Sequence, residues 1–139
     1  MRYFLDTSSL IKLYHTELDS ATLRAFFRDS DTFVVTDLTW VEARSAFGRK
    51  VRRGELGLAQ APISLEFLAK DWPQFERLPL QTDLLRQAAD LLTKHHALAL
   101  RSLDAIQLAA ALAAGPLDGF FTHGTRLRAA ALAEGLPAR

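Results

Sequence analysis

Three carboxylates, Asp6, Glu42 and Asp104, fall where an α/β protein builds a site. Asp6 directly follows the short, apolar Arg2–Leu5 segment, which reads as a buried strand. Glu42 lies in the first turns of a helix that follows the β-branched segment Thr32–Val35. Asp104 lies in the first turn of a helix whose expected cap is Ser102. Open α/β sheets bind ligands at the carboxyl ends of their strands, so these acids can meet in one pocket. Carboxylates brought together repel one another, and burial raises their pKa unless a cation intervenes. Hard divalent ions such as Mg²⁺ or Mn²⁺ match carboxylate oxygens. An ion there makes hydroxide available near neutral pH and stabilises charge gathering on a phosphate, so the chemistry such a trio suits is phosphoryl chemistry.

Each acid also has a purely structural explanation. Asp6 can serve as an N-cap beside Thr7 and Ser8. Thr39 and Glu42 have capping-box spacing. Asp104 suits the positive end of its helix, an effect of about 0.3–1 kcal/mol. Other chemistries are excluded more firmly. The chain has no cysteine, which removes disulfides, thiolate zinc sites and a cysteine nucleophile. Its four histidines (His15, His95, His96 and His123) show no H-E-x-x-H spacing. There is no G-x-S-x-G elbow, no G-x-G-x-x-G and no P-loop.

The elements that would position the acids alternate along the chain. After the first strand comes a helix capped within Asp6–Ser9 that carries Leu10, Leu13 and Tyr14 at helical spacing, then a second helix over about Leu18–Arg28, the Asp29–Asp31 turn and the second strand. A helix over about Leu38–Arg53 carries a core stripe of Trp40, Ala43, Phe47 and Val51 and stops at Gly54. Leu58–Asp71 reads as a helix interrupted early by Pro62, and Phe75–Leu80 as a weakly alternating strand. Asp83–Ala97 and Leu103–Ala114 read as helices, Gly119–Thr122 as a strand and Thr125–Glu134 as the last helix. The ending Leu136–Arg139 leaves little room for a further strand. Strands alternating with helices predict an α/β/α sandwich around a mostly parallel sheet. With 139 residues, 49% of them hydrophobic and 24% charged, residues 1–139 are expected to form a single domain with a substantial core.

A net charge of +1, from 17 basic and 16 acidic residues, is no nucleic-acid signature by itself. The distribution is more telling, because Arg44, Arg49, Lys50, Arg52 and Arg53 crowd into one stretch. Arg49 and Arg53 follow Glu42 by seven and eleven residues, nearly on its helix stripe and roughly 10 and 16 Å further along. They are candidate contacts for nucleic-acid phosphates, with solubilisation of an exposed helix face as the alternative. The apolar run Leu108–Ala114 is far short of a membrane span, and an acid at position 6 comes too early for a signal peptide. A cytoplasmic protein is expected.

The opening Phe4-Leu5-Asp6-Thr7-Ser8-Ser9-Leu10 resembles that of PIN-domain nucleases. Leu38-Thr39-Trp40-Val41-Glu42-Ala43 resembles the family's second motif, and Leu100-Arg101-Ser102-Leu103-Asp104-Ala105-Ile106-Gln107 is the most specific match. Phe120-Phe121-Thr122-His123-Gly124-Thr125-Arg126 resembles the closing segment. The small single-domain form is similar to the VapC toxins of type II toxin–antitoxin pairs. That resemblance implies a PIN-like fold and a Mg²⁺- or Mn²⁺-dependent endoribonuclease, usually a homodimer, inhibited by a cognate VapB-like antitoxin. It implies Asp6, Glu42 and Asp104 as catalytic metal ligands, with Ser8 and Thr122 orienting them from behind. Apolar residues of the early helices (Leu10, Leu13, Tyr14, Leu23, Phe26 and Phe27) would be available for the dimer.

One departure is visible. The family commonly carries a fourth acid two residues after the closing Thr, where this chain has Gly124. Asp118 precedes the strand and is expected at the opposite edge of the sheet, while His123 is one position off. Gly124 is expected to weaken a second metal position and with it the activity. The alternative reading is a degenerate PIN domain that binds RNA or protein without cutting. A phosphatase of the haloacid dehalogenase kind would want an Asp at position 8, where Ser8 stands.

Overall fold

The computed structural model describes all 139 residues. Four strands, β1 (Arg2–Leu5), β2 (Thr32–Thr36), β3 (Glu76–Leu78) and β4 (Gly119–Phe121), form one sheet in the order β3-β2-β1-β4. Every pairing is parallel, with Phe4 opposite Val34 on one side and Phe120 on the other. The helices between them are α1 (Thr7–Tyr14), α2 (Ser20–Phe26), α3 (Leu38–Arg52), α4 (Gln60–Asp71), α5 (Thr82–Lys94), α6 (Ser102–Ala113) and α7 (Thr125–Ala133). No helix is long and apolar enough to cross a membrane.

Side chains alternate across a strand, so each strand feeds two cores. Phe4, Val34 and Phe120 point to one face, where α5, α6 and α7 cover them with Leu84, Leu91, Leu108 and Leu127. Tyr3, Leu5, Val35 and Phe121 point to the other, under Leu10, Phe47 and Leu68 from α1, α3 and α4. This is the expected α/β/α sandwich. The order runs from β1 outward to β2 and β3, then jumps back across β1 to β4. That reversal opens a crevice at the carboxyl ends of β1 and β4, where Asp6 and Thr122 stand.

Several local expectations are corrected. The second helix is shorter than Leu18–Arg28, and Pro62 lies in the first turn of α4, where a missing N–H costs nothing, so it does not interrupt that helix. Arg101, not Ser102, is the N-cap of α6; its backbone N–H donates to the Asp104 carboxylate at 3.4 Å. Gly54 does end α3, in the left-handed region at φ 71°. The tail forms no further strand, as expected, but Ala138 makes an isolated parallel bridge to Phe120, through Phe120 N–H to Pro137 O (3.0 Å) and Arg139 N–H to Phe120 O (2.8 Å). The early-helix apolar residues fill the core of one chain. Leu10, Ile11 and Leu23 are buried, Leu13, Tyr14 and Phe27 are half-buried against them, and Phe26 alone among the six candidates is exposed, at 41%.

Candidate active site

Strand β1 ends in Asp6, which is also the N-cap of α1: its Oδ1 accepts the Ser9 N–H at 3.0 Å. Capping and site formation are therefore one arrangement. Ser8 Oγ donates to Oδ1 at 2.6 Å, and Thr122 Oγ1, at the end of β4, donates to Oδ2 at 2.8 Å. Both residues take the supporting positions expected of them. Thr122 Oγ1 in turn accepts the Gly124 N–H, and Ser8 Oγ accepts the His123 N–H at 2.9 Å, which ties the β4–α7 turn to α1. Burial pushes the Asp6 carboxyl up to about 6, against the opposing pull of the Ser8, Thr122 and Ser9 hydrogen bonds.

Glu42, on the second turn of α3, does not close a capping box. Its Oε1 accepts Thr7 Oγ1 at 2.9 Å and Gln107 Nε2 at 2.7 Å. Gln107 also reaches Thr7 and the fully buried Thr39, so one amide on α6 ties α1 and α3 together. Gln107, Thr7 and Thr39 are functional-site residues that sequence reading missed. The spacing Asp104-x-x-Gln107 on one helix face was the available signal. Gln107 Oε1 is buried without a partner, a polar atom that calls for an ordered water or ligand. The Glu42 carboxyl is raised by burial, against its hydrogen bonds from Gln107 and Thr7; the Asp104 charge raises it further.

Asp6, Glu42 and Asp104 line one cleft of about 630 Å³. Arg49, Lys50, Arg53 and Lys12 line the same cleft. Neither Arg49 nor Arg53 is held by an ion pair, whereas Lys12 and Lys50 are both clasped by Glu17. That leaves two unneutralised guanidiniums facing three carboxylates. Asp118 is at the far end of the sheet, accepting the Arg2 N–H at 2.7 Å. His123 faces the cleft with Nδ1 3.0 Å from Ser9 Oγ; burial, with the Lys12 cation, lowers its pKa.

The donor set fits a hard divalent ion chemically. Every candidate donor atom is oxygen, burial raises the pKa of both Asp6 and Glu42, and Glu42 Oε2 and Asp104 Oδ1 have no hydrogen-bond partner. No three Asp, Glu or His side chains stand close enough to hold one ion together, so a shared ion needs these side chains to draw in.

The PIN domain family model matches residues 3–132. The chain belongs to the PIN-domain family. Among curated relatives, ribonuclease VapC35 of Mycobacterium tuberculosis is 31% identical over 136 residues, covering 96% of this chain and 92% of the relative. Among solved structures, VapC20 of M. tuberculosis, a toxin that cleaves the sarcin–ricin loop, superposes with a TM-score of 0.69 at 18% identity, covering 92% of this chain and 94% of that one. VapBC2 of Rickettsia felis, bound to a DNA fragment from its promoter, gives 0.67 at 13% identity, with coverage of 100% and 98%. These two structures share the PIN fold with this chain.

Proposed function

We propose that this PIN domain is a Mg²⁺- or Mn²⁺-dependent endoribonuclease of the VapC toxin kind, inhibited by a cognate VapB-like antitoxin. The observation that carries the reading is the cleft in which Asp6, Glu42 and Asp104 face the unpaired Arg49 and Arg53. The likeness to the ribonuclease VapC35 supports the activity, and the fold shared with VapBC2 supports the antitoxin.

Asp6, Glu42 and Asp104 would hold the ion, which when bound activates water and offsets charge on the phosphate. The chain's own residues do the rest. Ser8, Thr122 and the Ser9 N–H fix both oxygens of Asp6, and Gln107 with Thr7 fixes one oxygen of Glu42 and leaves the other facing the cleft. Arg49 and Arg53 would bind neighbouring phosphates of the strand and so align it along α3.

The direct test is cleavage of RNA by the purified chain in Mg²⁺ or Mn²⁺, with Asp104→Asn as the control. Cleavage by the parent chain and none by the variant supports the reading; equal cleavage by both overturns it. A second reading, RNA binding without cleavage, draws on the spread of the three acids and on Gly124. It is established if RNA binds but stays intact in both metals. A homodimer belongs to the VapC reading. The exposed Ile63, Phe67, Leu85 and Leu103 are apolar surface for it, and a particle of only 15.5 kDa in light scattering would count against it.

A further inference from the structure

A second cavity, of about 380 Å³, adjoins the carboxylate cleft, and His123 and Gly124 line both. Its apolar wall is Leu23, Phe26 and Phe121. Phe26 is the exposed member of an otherwise covered aromatic group, its ring 5.6 Å from Tyr3, 5.4 Å from Phe27 and 5.2 Å from Phe121. The neighbours fix the ring while one part stays open to the cavity. Around it stand Asp19, Arg128 and Arg139, with the Arg139 guanidinium 5.4 Å from the Phe26 ring centre. Arg128 makes no side-chain hydrogen bond or ion pair, and Asp19 has the His123 imidazole as its partner, Nε2 at 4.0 Å from Oδ2.

We infer that this cavity receives one unstacked nucleobase of the RNA, guanine by preference, from a nucleotide next to the phosphate at the carboxylates; the inference rests on the ribonuclease reading above. The volume lies within the range of small-ligand sites, about 300–1,000 Å³. A rigid aromatic ring open on one side is the usual platform for a splayed-out RNA base. Asp19 presents two acceptor oxygens, and guanine alone offers two adjacent donors (N1–H and the 2-amino group) on its pairing edge. Arg128 and Arg139 supply cations for the flanking phosphates. Charges of both signs around one aromatic ring, Asp19 with only a long contact to His123 and Arg128 with no partner, fit a nucleotide better than the apolar side chain of a protein partner. His123 and Gly124 line both the cavity and the cleft, so one strand passing over these two residues would reach from the carboxylates to Phe26.

The test is a titration of ¹⁵N-labelled protein, without metal, with guanosine 5′-monophosphate and uridine 5′-monophosphate. Guanosine monophosphate is expected to shift the amides of Leu23, Phe26 and Thr125 saturably, with uridine monophosphate binding about tenfold more weakly. Phe26→Leu, which keeps apolar bulk but removes the ring face, and Asp19→Asn should each weaken guanosine monophosphate about tenfold. Asp19 is exposed and sits at φ 69°, a conformation Asn tolerates, so the second variant should fold even if the first does not. In Mn²⁺, products from a random RNA pool should show guanine enriched at one position beside the cut, and Asp19→Asn should lose that enrichment. Amide shifts confined to the Asp6 and Asp104 region, or an unchanged base preference in Asp19→Asn, overturn the proposal. So do shifts at Phe26 produced by the antitoxin but not by the nucleotide, which would make the cavity a protein-docking site. If the chain cuts no RNA yet binds guanosine monophosphate at Phe26, the ribonuclease reading fails and the nucleobase site stands.

Discussion

The Gln107 amide, on α6, donates to Glu42 Oε1, on α3, at 2.7 Å. A neutral donor thus holds a half-buried carboxylate whose own pKa burial has raised. Gln107→Ala should therefore weaken Mn²⁺ binding about 10–100-fold, the usual cost of losing a group that orients a metal ligand. Calorimetry measures this directly. Unchanged affinity would show that Glu42 needs no such support.

Asp6 gives a pH-dependent stability whose sign is opposite to that of a salt-bridged acid. Its folded pKa, about 6, lies above the ordinary 3.8. Its contribution is fully present below 3.8 and is lost as pH rises through about 6. The ionised form then costs the fold on the order of 2–3 kcal/mol. Asp6→Asn should raise the melting temperature of the metal-free protein by several degrees at pH 8 and change it little at pH 4. Mn²⁺ should stabilise the parent chain, not the variant, at pH 8.

The position next to α7 can take a side chain. Gly124 has φ −82°, and a Cβ there would meet Thr122 Oγ1 at 3.4 Å and Leu127 Cβ at 3.6 Å. It is also the N-cap of α7, where Asp is favoured. Gly124→Asp should fold with a melting temperature within a few degrees of the parent, bind additional Mn²⁺ and cleave RNA faster. A folded variant with neither gain would show that the missing fourth acid does not limit this site.

Arg49 and Arg53 lie on the cleft wall without acidic partners. Replacing either with Ala should weaken RNA binding about equally across sequences and reduce the slope of log affinity against log salt by about one. Filter binding at several salt concentrations checks this, with Asp104→Asn as the background so that the RNA stays intact.

What the sequence makes legible is whatever local pattern determines. The run to Leu5 followed by Asp6 marks a strand entering a helix, and the stripe Ala43–Phe47 marks the buried face of α3. Asp6, Glu42 and Asp104 could be placed at one sheet edge because each follows a strand or opens a helix. Gln107, Thr7 and Thr39 could not be found that way. Their roles arise from contacts 32 to 100 residues apart, among polar side chains that resemble ordinary helix residues. The bridge made by the tail was invisible for a similar reason: four residues with a proline carry almost no strand pattern and form no strand, yet β4 offers them open backbone groups. The early apolar residues looked like a surplus because sequence alone does not show that two cores, rather than one, must be filled.

The bridge from Ala138 to Phe120 closes the outer side of β4. The sheet's remaining open margin is β3, only three residues long, with Glu76 paired to Arg2 across the intervening strand. Short, charged margins are poor templates for adding another strand. Two copies of this chain therefore have no ready way to join their sheets into a continuous ribbon. The same closure guards the chain against fibrous growth.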